Sequence, residues 1–298
     1  MISGNVPQHL VVAARTGFLT TAVPAVPAYA PIATTLDMTA KSIDLVDLGG
    51  APMPLRNRGR MQVQDFIEKK LTVTPLDWDI TVYISHNAVQ DDQTGELDRK
   101  VRAAGDNFQR HIAQQAFQAL NDGDATTNFG AAYDGGAFFA NAHVDKGAAY
   151  VTGQDNLNND TLSLANFTTG YVAAQKTRDD QGNFTQFNYD LLVVPPDLAA
   201  TAYQISRVPG GSETTTNANP YAGIIKYSVA PQLDTTAWIL VASNENTKPI
   251  IIAMREKPNL QSAWFDPESP DGGRFYFKFY ARYNHFYGDW RLALMGHT

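Results

Sequence analysis

Between Thr94 and Asn121 apolar side chains recur at helical spacing without a break, at Leu97, Val101, Ala104, Phe108, Ile112, Ala116 and Leu120. Thr94 is a candidate N-cap, Glu96 and Asp98 complement the helix dipole, and Asn121-Asp122-Gly123 closes the run. At about 1.5 Å per residue this helix extends ~40 Å. A compact chain of 298 residues has a radius of gyration of only ~19 Å. One helix therefore spans the whole body, and the remaining elements must pack along it.

Strands precede and follow this spine. From Arg56 to Ser85 apolar and polar residues alternate, through Met61 and Val63, then Leu71 and Val73, then Trp78, Ile80, Val82 and Ile84. Two arms of about twelve residues would reach ~40 Å, with the charged stretch Asp65–Lys70 between them as the tip. So long a hairpin with so few large apolar residues gains little by folding onto its own core, and is expected to reach outward. After the spine, Ala137-Phe138-Phe139-Ala140 reads as a short buried strand, and Ser163 caps a second helix running to about Lys176. Asp190-Leu191-Leu192-Val193-Val194 is a strand buried on both faces. Pro195-Pro196 then starts a helix with Leu198, Ala202 and Ile205 on one face. Residues 207–220 form a polar loop, followed by strands over Gly223–Val229, Trp238–Ala242 and Pro249–Met254. Nine of the sixteen residues from Phe275 to Trp290 are aromatic, and their alternation predicts one arm of a long hairpin with a packed face, entered by Gly272-Gly273. The overall class is α+β.

The first 50 residues have little periodicity and carry Pro24, Pro27 and Pro31 in an uncharged stretch from Thr16 to Leu36. The prolines make that stretch a poor membrane span, and no lysine or arginine precedes Arg15 to make a secretion signal. Such an arm cannot bury much of itself. It is either a mobile terminus or an arm ordered by lying on neighbouring subunits.

Composition narrows the chemistry. The chain contains no cysteine, which removes disulfide scaffolds, thiolate metal sites and cysteine nucleophiles together. The net charge of -7 argues against a protein whose main work is gripping phosphate backbones. Charged residues are 18% of the chain, low for a surface wholly in water, so part of that surface is expected to be covered by a partner. The six histidines form no HxxxH or HExxH pair, and no GxGxxG, GxxxxGK[ST] or GxSxG element occurs. The Asp155–Asp160 run lacks the glycine and terminal glutamate of a calcium loop and reads as a solvated turn. No catalytic, cofactor or metal residue is predicted. The candidate contact residues lie instead in the hairpin. Arg56, Arg58 and Arg60 form a basic cluster, read either as a solvated loop or as salt bridges to a neighbouring subunit; Phe66, Glu68, Lys69 and Lys70 lie at the tip. The two lysines also invite a covalent cross-link to an asparagine of another subunit, for which only their position speaks.

Ala88-Val89-Gln90-Asp91-Asp92 precedes the spine, and Ala137-Phe138-Phe139-Ala140-Asn141-Ala142-His143 follows it. Tyr189 to Leu198 (YDLLVVPPDL), Ala281-Arg282-Tyr283 and Gly288-Asp289-Trp290-Arg291-Leu292-Ala293 complete the series. In this order and spacing the chain resembles the major capsid proteins of tailed phages, the Hong Kong 97-type fold, and more narrowly the Mu-type major head subunits, over residues 50–296. The resemblance implies an N-terminal arm over 1–55, an E-loop hairpin over 56–85, a P-domain with the spine helix over 86–190, an axial A-domain over 191–259, and P-domain C-terminal strands over 260–298. It implies a non-enzymatic shell subunit that forms pentamers and hexamers around double-stranded DNA without reading its sequence. Portal, scaffold and decoration proteins would be its further partners, the virion its location, and the host bacterial cytoplasm its place of synthesis. A chain beginning at Met1 is expected to rely on a separate scaffolding protein. The aromatic density of 275–290 exceeds the family pattern. Two rivals stand beside this reading: an encapsulin-like nanocompartment shell, and a soluble hydrolase with an unrecognised carboxylate site.

Overall fold

Phe275, Phe277, Phe279, Ala281 and Tyr283 are buried while their sequence neighbours are half-exposed, and this alternation makes Arg274–Tyr287 a single strand with one face toward the core. The structure is a computed structural model that describes residues 28–47, 69–92, 95–143, 153–179, 182–208, 219–265 and 274–298, together with Val12. In chain order the described strands are β1 (Ala33–Asp37), β2 (Ile43–Asp47), β3 (Lys69–Val73), β4 (Leu76–Ser85), β5 (Leu157–Asn158), β6 (Leu191–Val194), β7 (Lys226–Val229), β8 (Trp238–Val241), β9 (Ile250–Phe265), β10 (Arg274–Tyr287) and β11 (Ala293–Gly296). The helices are α1 (His86–Asp91), α2 (Glu96–Asn121), α3 (Leu164–Gln175) and α4 (Ala199–Arg207).

The spine α2 begins at Glu96, and Thr94 lies outside the described residues. Its free N–H groups are taken by Asp92, whose carboxylate accepts from the amides of Gly95, Glu96 and Leu97 at 3.0–3.2 Å. Gly95 makes the turn between them at φ 70°, a left-handed conformation that glycine adopts without strain. Val101, Phe108, Ile112, Ala116 and Leu120 are buried against a four-stranded sheet ordered β1-β9-β10-β4. Each large side chain buried there contributes roughly 1.5–3 kcal/mol. β9 and β10 form the expected long hairpin, with its connection 266–273 outside the described residues. The register slips beside Ala281, where Lys257 and Pro258 lie between the residues paired to Tyr280 and Arg282. Pro258 has no N–H to give the ladder, so it sits naturally at this bulge.

A second sheet, ordered β5-β11-β8-β6-β7, is buried on both faces along its three central strands. Leu191, Val193, Ile239 and Val241 join the core around the spine, while Leu192, Val194, Trp238 and Leu240 pack under α3 and α4. This accounts for the continuous apolar runs of β6 and β8, every residue of which is buried.

The strand pairings revise several expectations. β4 does not fold back on the strand before it; it pairs along its whole length with β10, while β3 pairs antiparallel with β2. A ten-residue strand gains more from half-covering the spine than from reaching into solvent. The strand expected over Pro249–Met254 continues to Phe265, so β9 runs across the expected 259/260 domain boundary, and β11 belongs with β8 in the second sheet. Phe138 and Phe139 are buried as expected but in irregular backbone, tied by the Phe139 amide to the Gly123 carbonyl at 2.7 Å. The run Asp155–Asp160 is not simply a solvated turn: Asn156 is buried, and Leu157-Asn158 pair with the last strand.

Candidate assembly surfaces

The β2–β3 ribbon is the first candidate surface. Ile43 faces Val73 and Asp47 faces Lys69 in antiparallel register, so residues 48–68, themselves outside the described residues, leave and return at one place. The ribbon is held down by Leu45, Leu71 and Val73, which pack with Ile251, Ala253 and Phe286 on the face of the long sheet opposite the spine. Folded double, such an excursion reaches at most ~35 Å. Arg56, Arg58 and Arg60 lie at its middle in sequence; they, Phe66 and Glu68 lie outside the described residues.

Lys69 and Lys70 are not at a tip. They open β3, opposite Asp47 and Val46, where the paired ribbon ends. Lys70 Nζ lies 2.8 Å from Asp44 Oδ2, and Thr72 Oγ1 donates to Asp44 Oδ1 at 2.7 Å. The Lys70 bond, then the Thr72 bond, hold the Asp44 carboxyl below its usual range. Both partners are exposed, so the pair aligns the ribbon more than it stabilises it. In the sequence the only signal for Asp44 is the alternation Ile43-Asp44-Leu45, too short to set β2 apart from the aperiodic first 50 residues.

The outer face of the long sheet is polar and aromatic. Arg282 bridges Asp77 at 2.5 Å and Glu256 at 3.8 Å, and Lys278 reaches Asp79 at 3.8 Å. Arg274 lies over the Tyr83 ring, 5.0 Å from its centre. Beyond this sheet, Asn219 Nδ2 donates to the carbonyls of Gln204, Ile205 and Val208 at 2.8–3.1 Å, which closes the ends of the polar 207–220 loop on each other. Residues 209–218 lie outside the described residues.

The buried polar groups have structural partners. Asn156 Nδ2 lies 2.9–3.2 Å from the carbonyls of Phe138, Trp290 and Ala293, which fixes its Oδ1 as the acceptor for Ala140 N–H and His143 Nε2. His143 Nδ1 meets Asp134 Oδ2 at 2.6 Å, and its ring stacks on Trp290 with centres 4.0 Å apart. Burial pushes the Asp134 carboxyl up, but the His143 bond and charge and the Gly136 amide outweigh it and leave the group below its usual range. His285 Nε2 donates to the Ile112 carbonyl at 3.0 Å, and burial, the largest cause, pushes its pKa down to about 4. A groove of about 450 Å³ between the ribbon, the long sheet at Ile251 and Tyr287, and the loop residues 245–247 includes Glu245 and Asp289. Asp289 is bonded by Arg291 at 2.8 and 3.1 Å and by the Tyr133 hydroxyl at 3.5 Å, a brace rather than a free carboxylate. Among the described residues no group of three or more His, Asp or Glu is placed to hold a metal ion, and no helix is long and apolar enough to cross a membrane.

A family model described as phage capsid protein matches residues 68–291. No curated protein matches the chain. Among solved structures it is similar to the bacteriophage JBD30 capsid, at 18% identity and TM-score 0.56, covering 77% of this chain and 99% of that one. The capsid of an empty GTA particle follows at 14% identity and TM-score 0.57, covering 93% and 90%. A virus-like particle from Pyrococcus furiosus has 11% identity and TM-score 0.52, covering 97% and 98%. At these identities the likeness is one of fold.

Proposed function

The chain belongs to the phage capsid protein family, and from that membership we propose that it is the major head subunit of a tailed bacteriophage, assembling into the pentamers and hexamers of an icosahedral shell around double-stranded DNA. One observation carries the reading: the family match runs from 68 to 291, taking in β3, the spine, three of the four strands of the long sheet and four of the five of the second. The arrangement is of the Hong Kong 97 type, α+β with a long spine helix beneath a sheet. On this reading the spine and long sheet are the P-domain, the second sheet with α3 and α4 is the A-domain, and the 207–220 loop approaches the capsomer axis. The E-loop is the 48–68 excursion with its β2–β3 base, and residues before β1 are the N-arm. The Mu-type likeness rests on the sequence motifs alone. Portal, scaffold and decoration proteins are the partners such a subunit needs, and the virion is its location. Acidic net charge suits a wall that confines DNA rather than grips it.

Light scattering and negative-stain microscopy of the purified chain test this. Closed shells or isolated five- and six-membered rings are expected. A 32.6 kDa monomer that does not assemble at raised salt, under crowding or with the phage's scaffolding protein overturns it. The Pyrococcus particle shares the fold, so contents decide between a phage head and a cargo compartment. Nuclease-protected DNA in particles from infected cells supports the head, and packaged protein in its place reverses the reading.

A further inference from the structure

A pocket of about 330 Å³ opens at the C-terminal end of the spine, between α2, the start of β4 and the end of β10. Its volume lies within the range of small-molecule sites. Trp78 and Phe129 give it aromatic walls, and Gln115, Asp122 and His285 give it polar ones. His285 is the unusual member. Its side chain is only 3% exposed, and Nε2 donates to the Ile112 carbonyl at 3.0 Å. Nδ1 therefore carries the lone pair, has no partner among the described residues, and opens on the pocket rather than on a sealed interior. Burial, the largest cause, holds the ring's pKa down at about 4, so at neutral pH it is an uncharged acceptor. The Gln115 amide, in the same wall, also has no bond to the described residues.

The charge in the pocket is unbalanced. Asp122 Oδ1 accepts from Gln118 Nε2 at 2.8 Å and Asn121 Nδ2 at 3.2 Å, and Oδ2 accepts from Asn128 Nδ2 at 2.7 Å. These partners are neutral amides, so they position the carboxylate without cancelling its charge. The last turn of α2 has no basic residue, and none of the described residues lining the pocket is lysine or arginine. The helix C-terminus adds its own partial negative charge. The neighbouring Tyr287 hydroxyl feels this field: burial, then Asp122 and Asp124, push it above its usual range. Bare acceptors, aromatic walls and uncompensated negative charge fit an organic cation. With Oδ1 already taken twice, Asp122 has no pair of free oxygens for the planar fork of a guanidinium. A compact ammonium, with three donors for acceptors on separate elements, suits it better.

We infer that this pocket binds an alkylammonium group, with His285 Nδ1 and Asp122 Oδ2 accepting from it and Trp78 and Phe129 beside its carbon chain. The group is carried by a free amine or by a lysine side chain of another chain. The site lies within one chain, so it stands whether or not that chain builds shells. Saturation-transfer NMR on the full chain with n-butylammonium chloride is expected to show saturable binding. Neutral n-butanol, of the same length, should bind at least about tenfold more weakly. Asp122→Asn, shown to be folded by a thermal melt, should weaken butylammonium binding by about the same factor. No saturable binding, equal binding of the alcohol, or unchanged affinity in the folded variant would overturn the assignment. The alcohol comparison uses the unmodified chain, so it decides even if the variant does not fold. Nα-acetyl-lysine methylamide separates the two sources. Binding equal to that of butylammonium supports a site for a lysine side chain, and its exclusion while butylammonium binds supports a site for a free amine.

Discussion

Gly296 lies against the ring of Trp238 so closely that an added Cβ would come within 2.2–2.4 Å of three ring atoms. Trp238 is fully buried and cannot swing aside. Gly296→Ala is therefore expected to cost about 1–3 kcal/mol by overpacking, read as a lower denaturation midpoint in urea; an unchanged midpoint refutes it. Asn156 makes the complementary case, because removing a polar group strands its partners. Asn156→Ala leaves one N–H, three carbonyls and His143 Nε2 short of a partner in a dry interior. A loss of about 2–4 kcal/mol is expected, against less than about 1 kcal/mol for Asn284→Ala, whose amide bonds the Thr74 carbonyl at the surface. Equal losses in urea titrations would show that the Asn156 bonds do not matter. Neither residue was legible beforehand. Asn156 sits in an acidic, asparagine-rich run that resembles a turn, and its importance arises from carbonyls of residues 138, 290 and 293, which no local pattern brings together.

Elements were more legible than their pairings. The spine, α3 and its Ser163 cap, whose hydroxyl accepts from the Asn166 amide, follow from 3.6-residue periodicity and capping chemistry, which act within a few residues. The inward face of β10 follows from its two-residue alternation for the same reason. The partner of β4 did not follow, because alternation specifies a face and not a neighbour. At the spine–sheet contact, β10 clasps the helix through three alternate residues: Tyr283 to His111 at 2.7 Å, His285 to the Ile112 carbonyl at 3.0 Å, and Tyr287 to the Ala119 carbonyl at 3.0 Å. His285 is held near 4 while an unfolded histidine titrates near ~6.5. As pH falls below about 6.5 the unfolded chain takes up a proton that the folded one refuses. The stability His285 contributes is thus complete above that pH and is lost progressively down to about 4, by at most ~3 kcal/mol. Asp134, also held low, adds a further loss in more acid solution, as its carboxylate is protonated. His285→Gln keeps a donor for the Ile112 carbonyl but does not titrate. Urea midpoints at pH 7.5 and 5.0 should therefore differ less in the variant than in the unmodified chain, and an equal difference would remove His285 as the cause.

At the scale of the whole molecule, the pairing of Asp47 with Lys69 decides which segment can be removed. Among the described residues the core consists of the spine, two sheets and the ribbon base. The low charge content was legible in composition. Where the hairpin begins and ends was not, because its true base pairs Asp47 with Lys69 across the whole excursion. Removing 56–85, the hairpin read from sequence, would delete β3 and β4 and with them one strand of the sheet that covers the spine. Such a variant would fail to fold and would say nothing about assembly. Because Asp47 and Lys69 are direct partners in an antiparallel ladder, a two-residue Asn-Gly turn can replace 48–68 without disturbing the register. Closing a shorter loop also costs less entropy, so the melting temperature of this variant should equal or slightly exceed that of the intact chain. If the excursion works on neighbouring subunits, the same variant gives no shells under light scattering and microscopy where the intact chain does. A variant that folds and still builds normal shells would strip the excursion of its assembly role and leave shell formation to the body of the subunit alone.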